Sequence, residues 1–187
     1  MRRGLMITAA AAAVIVWCTG AASAATGWAI QATPDPAGAS ESYLQGVSCV
    51  SITSCTAVGY YRDSAGALLT LAEYWNGTGW AIQATPNPAG TNVGPVYLDA
   101  VSCASATSCT AVGHYASPSG QFQFPLAEHW DGTMWAIQAV PRPGRSSHTF
   151  LEGVSCRAAT SCIAVGDYTS STGGIVTLAE HWNGTGW

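Results

Sequence analysis

Six cysteines fall into three pairs with one spacing, C-x5-C: Cys49/Cys55, Cys103/Cys109 and Cys156/Cys162. Thiols so placed can oxidise in pairs or hold a soft metal. A thiolate metal site favours C-x2-C spacing or converging histidines. The flanks of each pair instead read as strands, and facing residues of an antiparallel pair lie about 4.5–5.5 Å apart at Cα, within reach of a disulfide. One pair per unit in an exported chain predicts three local disulfides, each closing a hairpin.

The other reactive side chains are less eloquent. Glu73, Glu128 and Glu180 each stand two residues before a tryptophan. A catalytic acid is expected once, not three times, so the recurrence points to a structural role, accepting hydrogen bonds from a neighbouring unit. His129 and His181 share a position with Tyr74 and read as interchangeable aromatics; His114 and His148 are single and lie beside loops. Neither G-x-S-x-G, H-E-x-x-H nor a glycine-rich phosphate loop occurs. The sequence therefore names no catalytic, cofactor-binding or metal-ligating residue. The two N-G-T sequons, at Asn76 and Asn183, read as hairpin turns rather than as glycan sites.

These residues are positioned by a threefold internal repeat. WAIQATPDPAG at Trp28 returns as WAIQATPNPAG at Trp80 and WAIQAVPRPGR at Trp135. Between these returns, LQGVSCVSITSCTAVGYY (from Leu44) recurs from Leu98 and from Leu151, and LAEYWNGTGW (from Leu71) recurs from Leu126 and from Leu178. The units run over about 28–79, 80–134 and 135–187. A period of this size belongs to stacked or radial architectures, in which one unit cannot bury its own apolar face.

Within a unit the pattern is β throughout. Leu44–Cys49 and Cys55–Tyr61 read as strands joined by the loop VSITS; Leu68–Trp75 is a third, and Thr78–Gln83 a fourth, joined by Asn76-Gly77 as a two-residue turn. That turn puts Trp75 opposite Thr78 and Trp80 on the diagonal. Prolines end the fourth strand, because proline cannot continue a central strand. Trp28, Trp75, Trp80, Trp130, Trp135, Trp182 and Trp187 read as aromatics that pack one unit on the next; a sugar-stacking platform is the rival reading. The fold class is all-β, with three four-stranded antiparallel units.

A strand ending in AVG-x-Y, a strand and tight turn ending in Trp, then a proline-rich crossover at about 50 residues resembles the blades of Kelch-type β-propellers. The resemblance covers nearly all of the chain after residue 24, with one glycine (Gly59, Gly113, Gly166) where Kelch blades have two. A weaker resemblance to sialidase-like propellers rests on Asp131-Gly132-Thr133-Met134-Trp135. The resemblance implies an incomplete or open propeller whose first fourth-type strand, Trp28–Gln31, completes a ring. Propellers usually take four to eight blades. A truncated reading frame, an open arc, and self-association to complete the ring all follow as expectations.

Arg2 and Arg3, an apolar run from Leu5 to Trp17, and Ala22-Ser23-Ala24 form a secretory signal over residues 1–24, leaving a single domain over 25–187. That run is too short to span a membrane. The chain has no lysine; four arginines (Arg62, Arg142, Arg145 and Arg157) face ten carboxylates after cleavage, a net charge near −6 that disfavours nucleic acid. The expectation is a secreted, extracellular or cell-wall-associated bacterial protein, non-catalytic, binding a glycan or protein through the loops Ala39–Tyr43, Thr91–Tyr97 and Gly144–Phe150. The alternative is a fragment of a secreted carbohydrate-active or oxidase-type propeller enzyme.

Overall fold

The computed structural model describes residues 27–88, 94–144 and 146–187. The signal segment 1–24, Arg145 and the loop positions Thr91 to Val93 lie outside the described residues. Residues 27–31 form no strand, and Trp28 and Ile30 are fully exposed. The expected opening strand at Trp28–Gln31 is therefore not formed. A strand needs a neighbour for its backbone groups, and none of these residues is paired in a sheet.

Residues 32–187 form one compact unit of eleven strands, with no helix among the described residues. The first sheet is the antiparallel meander β1 (Glu41–Ser51), β2 (Ser54–Arg62), β3 (Leu68–Trp75) and β4 (Trp80–Gln83). The second repeats it with β5 (Val96–Ser105), β6 (Ser108–Ala116), β7 (Gln123–Trp130) and β8 (Trp135–Gln138). The third has three strands rather than the expected four, β9 (Thr149–Ala158), β10 (Ser161–Thr169) and β11 (Ile175–Trp182), in the order β9-β10-β11, because residues 183–187 form a turn and no strand. Each sheet thus opens on the Leu phrase and closes on the tryptophan phrase. The two central strands carry small and β-branched residues on both sides, and in the first two sheets both sides are buried.

The sheets stack face on face. Val58 and Ala72 of the first sheet pack into a cluster with Leu98, Val101, Ala111 and Trp135 of the second. Val112 and Ala127 of the second pack with Leu151, Val154, Ala164 and Trp187 of the third sequence unit. The same positions meet both times, so the repeat builds one interface twice. Hydrogen bonds repeat with it. Trp135 Nε1 donates to Gln83 Oε1 (3.0 Å) and Trp187 Nε1 to Gln138 Oε1 (2.9 Å). Cys103 N donates to Ser48 Oγ (3.0 Å) and Cys156 N to Ser102 Oγ (2.9 Å).

Cys49–Cys55, Cys103–Cys109 and Cys156–Cys162 are disulfides between directly facing residues of the first hairpin of each sheet. The loop they close is tighter than VSITS: pairing resumes at Ser51↔Ser54 beyond a bulge, leaving only Ile52 and Thr53 in the turn. The second hairpin differs in the other direction. Trp75 faces Trp80 directly, across a four-residue turn that Asn76 N→Gly79 O closes at 3.3 Å. Asn76 Oδ1 accepts from Thr78 N, Thr78 Oγ1 and Gly79 N, while Gly77 takes φ +93°, a conformation glycine reaches without strain. Asp131 and Asn183 do the same in the other two sheets. Three hydrogen bonds to one oxygen outweigh the twist match that favours a two-residue Asn-Gly turn.

Removing the central bridge with Cys103→Ser/Cys109→Ser is expected to cost about 2 kcal/mol, the chain entropy of a seven-residue loop. Thermal unfolding followed by circular dichroism reads this as a lower midpoint with an unchanged β spectrum.

Candidate functional site

A row of rings crosses all three sheets. In the first sheet Tyr43 on β1 stacks on Tyr60 on β2, with centroids 5.0 Å apart. Tyr60 meets Tyr97 of the next sheet edge-on at 4.8 Å. Tyr97 stacks on His114 at 4.9 Å, and His114 meets Phe150 of the third sheet edge-on at 4.8 Å. His148 stacks on Phe150 at 6.3 Å and extends the row. Pairs within a sheet stack, and pairs between sheets meet edge to face; both arrangements suit the ring quadrupole.

Three backbone devices place these rings. Gly59, Gly113 and Gly166 come just before Tyr60, His114 and Asp167, and a Cβ on any of them would collide with the carbonyl oxygen of Tyr43, Tyr97 or Phe150. The missing side chain lets the second strand close on the first where the rings meet. A β-bulge follows at Gln45, Asp99 and Glu152, where the register slips by one residue. Such bulges re-aim side chains. In the second sheet Asp99 Oδ2 is thereby 2.9 Å from His114 Nδ1. Finally, each first strand begins where a divergent loop ends, so Tyr43, Tyr97 and Phe150 are the last residues of the three loops named from sequence as candidate binding segments.

Charge gathers along the row. At its start Arg62 Nε pairs with Glu41 Oε1, and Tyr43 donates its hydroxyl to Glu41 Oε2 at 3.2 Å. The Arg62 hydrogen bond holds the Glu41 carboxyl below its ordinary range, and the Glu41 contact pushes the Tyr43 phenol up. Burial pushes the Tyr97 phenol up as well. Asp167 faces Phe150 across the β9–β10 pair, where Tyr60 and His114 stand in the other sheets. The row thus presents apolar ring faces beside carboxylates, an arginine and an imidazole. Clefts of about 280 Å³ lie elsewhere; one is lined by Pro143, Gly144, Ser146, Tyr168, Ser170 and Ser171.

The tryptophans lie apart from this row. Trp75/Trp80, Trp130/Trp135 and Trp182/Trp187 form three tilted pairs with centroids 5.8, 5.9 and 5.9 Å apart. Trp135 is buried against the first sheet, while Trp75 Nε1 and Trp182 Nε1 donate to Ile52 O and Ala159 O in the neighbouring turns. Sequence pairing singled out these residues but not the ring row, because the successive rings from Tyr43 to Phe150 are 17, 36 or 37 residues apart and only the register joins them. The repeated Tyr/Phe before Leu, and Tyr/His after AVG, were the available signal.

The recurrent glutamates depart from expectation. Glu73 and Glu128 are fully buried, yet Glu73 Oε2 and both carboxyl oxygens of Glu128 have no hydrogen-bond partner. Glu128 lies two residues after Leu126 on the same face of β7, the face that packs against the first sheet. Burial pushes its carboxyl up to about 8 and that of Glu73 up to about 7, the latter helped by Asp35; Glu180 is raised by burial too. Glu73 and Glu128 are therefore neutral packing residues at mildly acidic pH. His129 accompanies them only as an aromatic, with its Nδ1 3.4 Å from Thr110 Oγ1. Among the described residues no group of three histidines, cysteines or acids could hold a metal ion, and no helix is long and apolar enough to cross a membrane. The three disulfides are compatible with an extracellular protein. No protein-family model matches the chain, and no curated protein matches it in sequence.

A carboxyl protonated in the folded chain near pH 7 but ionised above about pH 4.5 when unfolded binds extra protons in the native state. Stability contributed by protonated Glu128 is therefore full below pH 4.5 and is lost as pH rises to about 8. At about 1.4 kcal/mol per unit the loss is at most about 5 kcal/mol. Denaturant unfolding from pH 5 to pH 8.5 is expected to show this decline, and Glu128→Gln to flatten most of it. A wild-type profile that is level over that range would refute an ionisable group at the sheet interface.

Proposed function

We propose that the three sheets are blades of a Kelch-like propeller repeat and that the chain is a secreted, non-catalytic binding protein whose ligand is a glycan. The observation that carries the reading is the ring row Tyr43–Tyr60–Tyr97–His114–Phe150, which runs unbroken across three sheets. Sugar rings offer C–H faces to aromatic rings and hydroxyls to carboxylates and guanidinium groups. Glu41, Arg62, Asp99 and Asp167 supply the polar partners beside the rings, and an extended oligosaccharide matches a row better than a pit. The ends of three divergent loops flank the row, where a repeat protein can vary recognition without disturbing its packing. The tryptophan platform considered from sequence is less suited, since its rings are spent on sheet-to-sheet and turn contacts.

A glycan-array screen of the secreted chain, followed by titration calorimetry on any hit, tests this reading. Tyr97→Ala is expected to weaken binding roughly tenfold, the worth of one aromatic contact of about 1.4 kcal/mol. Trp182→Phe, away from the row, is expected to leave it unchanged. A glycosidase assay on the same sample separates binding from the enzyme-fragment alternative: turnover of a bound sugar would overturn the non-catalytic reading.

A further inference from the structure

The chain builds one interface twice and leaves one half of it open at each end of the stack. In the built interfaces, Leu98, Val101, Ala111 and Trp135 receive Val58 and Ala72, and Leu151, Val154, Ala164 and Trp187 receive Val112 and Ala127. The first sheet presents the same receiving set, Leu44, Val47, Ala57 and Trp80, which line an open apolar hollow of about 290 Å³. The third sheet presents the same inserting pair, Val165 and Ala179, facing each other across β10 and β11.

Burial shows where these halves are open: at Leu44, Val47, Val165 and Ala179, while Ala57 at the floor of the hollow is already buried. Leu44 is 40% exposed, whereas its equivalents Leu98 and Leu151 are at 0%. Val47 is 62% exposed against 7% for Val101, and Val165 is 49% exposed against 0% for Val58 and Val112. A protein that kept these faces in water would be expected to place charge there, as edge-capping repeats do. Here the apolar residue types are kept. The hydrogen-bond acceptor is kept too, because Ser155 holds the place of Ser48 and Ser102, which accept from Cys103 N and Cys156 N. The rest of the receiving face is already covered: Leu71 and Glu73 are buried, and Pro36 lines a cavity with Leu71 and Ile82.

We infer that a second copy of this chain docks head to tail, Val165 and Ala179 of one copy entering the Leu44/Val47/Ala57/Trp80 hollow of the other. The contact continues an interface present twice in the same chain, and so needs no new complementarity. It is heterologous, joining two different patches. It does not depend on the glycan reading, since none of these residues belongs to the ring row.

The heterologous geometry has its own test. Val47→Asp spoils the receiving face and Val165→Asp the inserting face; both positions are exposed in the single chain, so the fold is not at stake, and retained glycan binding or the β spectrum checks it. Light scattering on the full secreted chain at high micromolar concentration is expected to give a dimer or a longer assembly. Each variant alone is expected to be a monomer. Mixing the two is expected to restore a dimer, because one copy of each pair keeps the face the other lacks. A monomeric wild type would overturn the proposal and leave these faces to another unit of the same polypeptide or another protein. Assemblies that survive either substitution, or variants that stay monomeric when mixed, would overturn it as well.

Discussion

A sheet of small and branched residues has two apolar faces, and each can leave water only against another sheet. This constraint governs the rest of the molecule. It explains why Val58, Val112 and Val165 recur with Ala72, Ala127 and Ala179, and why the opposite faces recur as Leu, Val, Ala and Trp. It also explains why so much else is small. Thr56, Ala57, Val58 and Gly59 are all buried on one strand; Thr56 and Val58 meet the second sheet, which a larger residue at either would push away, while Gly59 lets β1 close on β2. Burying a Val or Leu side chain is worth about 1.5–3 kcal/mol, so the stacked faces outweigh any single turn or bridge. The disulfides lie within the stack: Cys109 and Cys162 are buried, and Cys109 belongs to the cluster between the first two sheets.

Much of this was legible in the residues themselves. The repeat, the all-β character of the described residues and the cysteine pairs could be read directly, because each is a local pattern copied three times. What escaped was set by geometry between copies or by competition within a turn. Asn76-Gly77 reads as a two-residue hairpin, yet Thr78 and Gly79 both donate to the Asn76 oxygen and draw two more residues into the turn. The bulges at Gln45, Asp99 and Glu152 leave no compositional mark, since three different residues occupy them. Trp28 has the phrase of a fourth strand, yet residues 27–31 form none, and sequence identity alone does not make a strand.

The candidate site was visible only in part. Its loops were named from their divergence, but the rings they deliver were passed over in favour of the more conspicuous tryptophans. The difference is one of register. Tyr43 and Tyr60 meet because Tyr43 pairs with Tyr60 across β1 and β2, and Tyr60 meets Tyr97 because the sheets stack in phase. The same stacking that strips Glu128 of water also sets the spacing of the row. Packing and recognition here are consequences of one period, read once through the interior and once along the rim.

The four-residue turns bear on how the chain ages. Asn-Gly is the dipeptide most prone to lose ammonia, and it occurs at Asn76-Gly77 and Asn183-Gly184. Both side chains serve their turns as acceptors through a single oxygen. The middle turn shows what the product would look like, because Asp131 occupies that place and keeps all three hydrogen bonds, which hold its carboxyl down at about 2. Deamidation that ends in aspartate would therefore leave the fold untouched while adding one negative charge per site. The isoaspartyl product, with its extra methylene in the main chain, would not fit between Trp75 and Trp80. The repeat thus carries within itself a rehearsed, harmless outcome for its most fragile bonds.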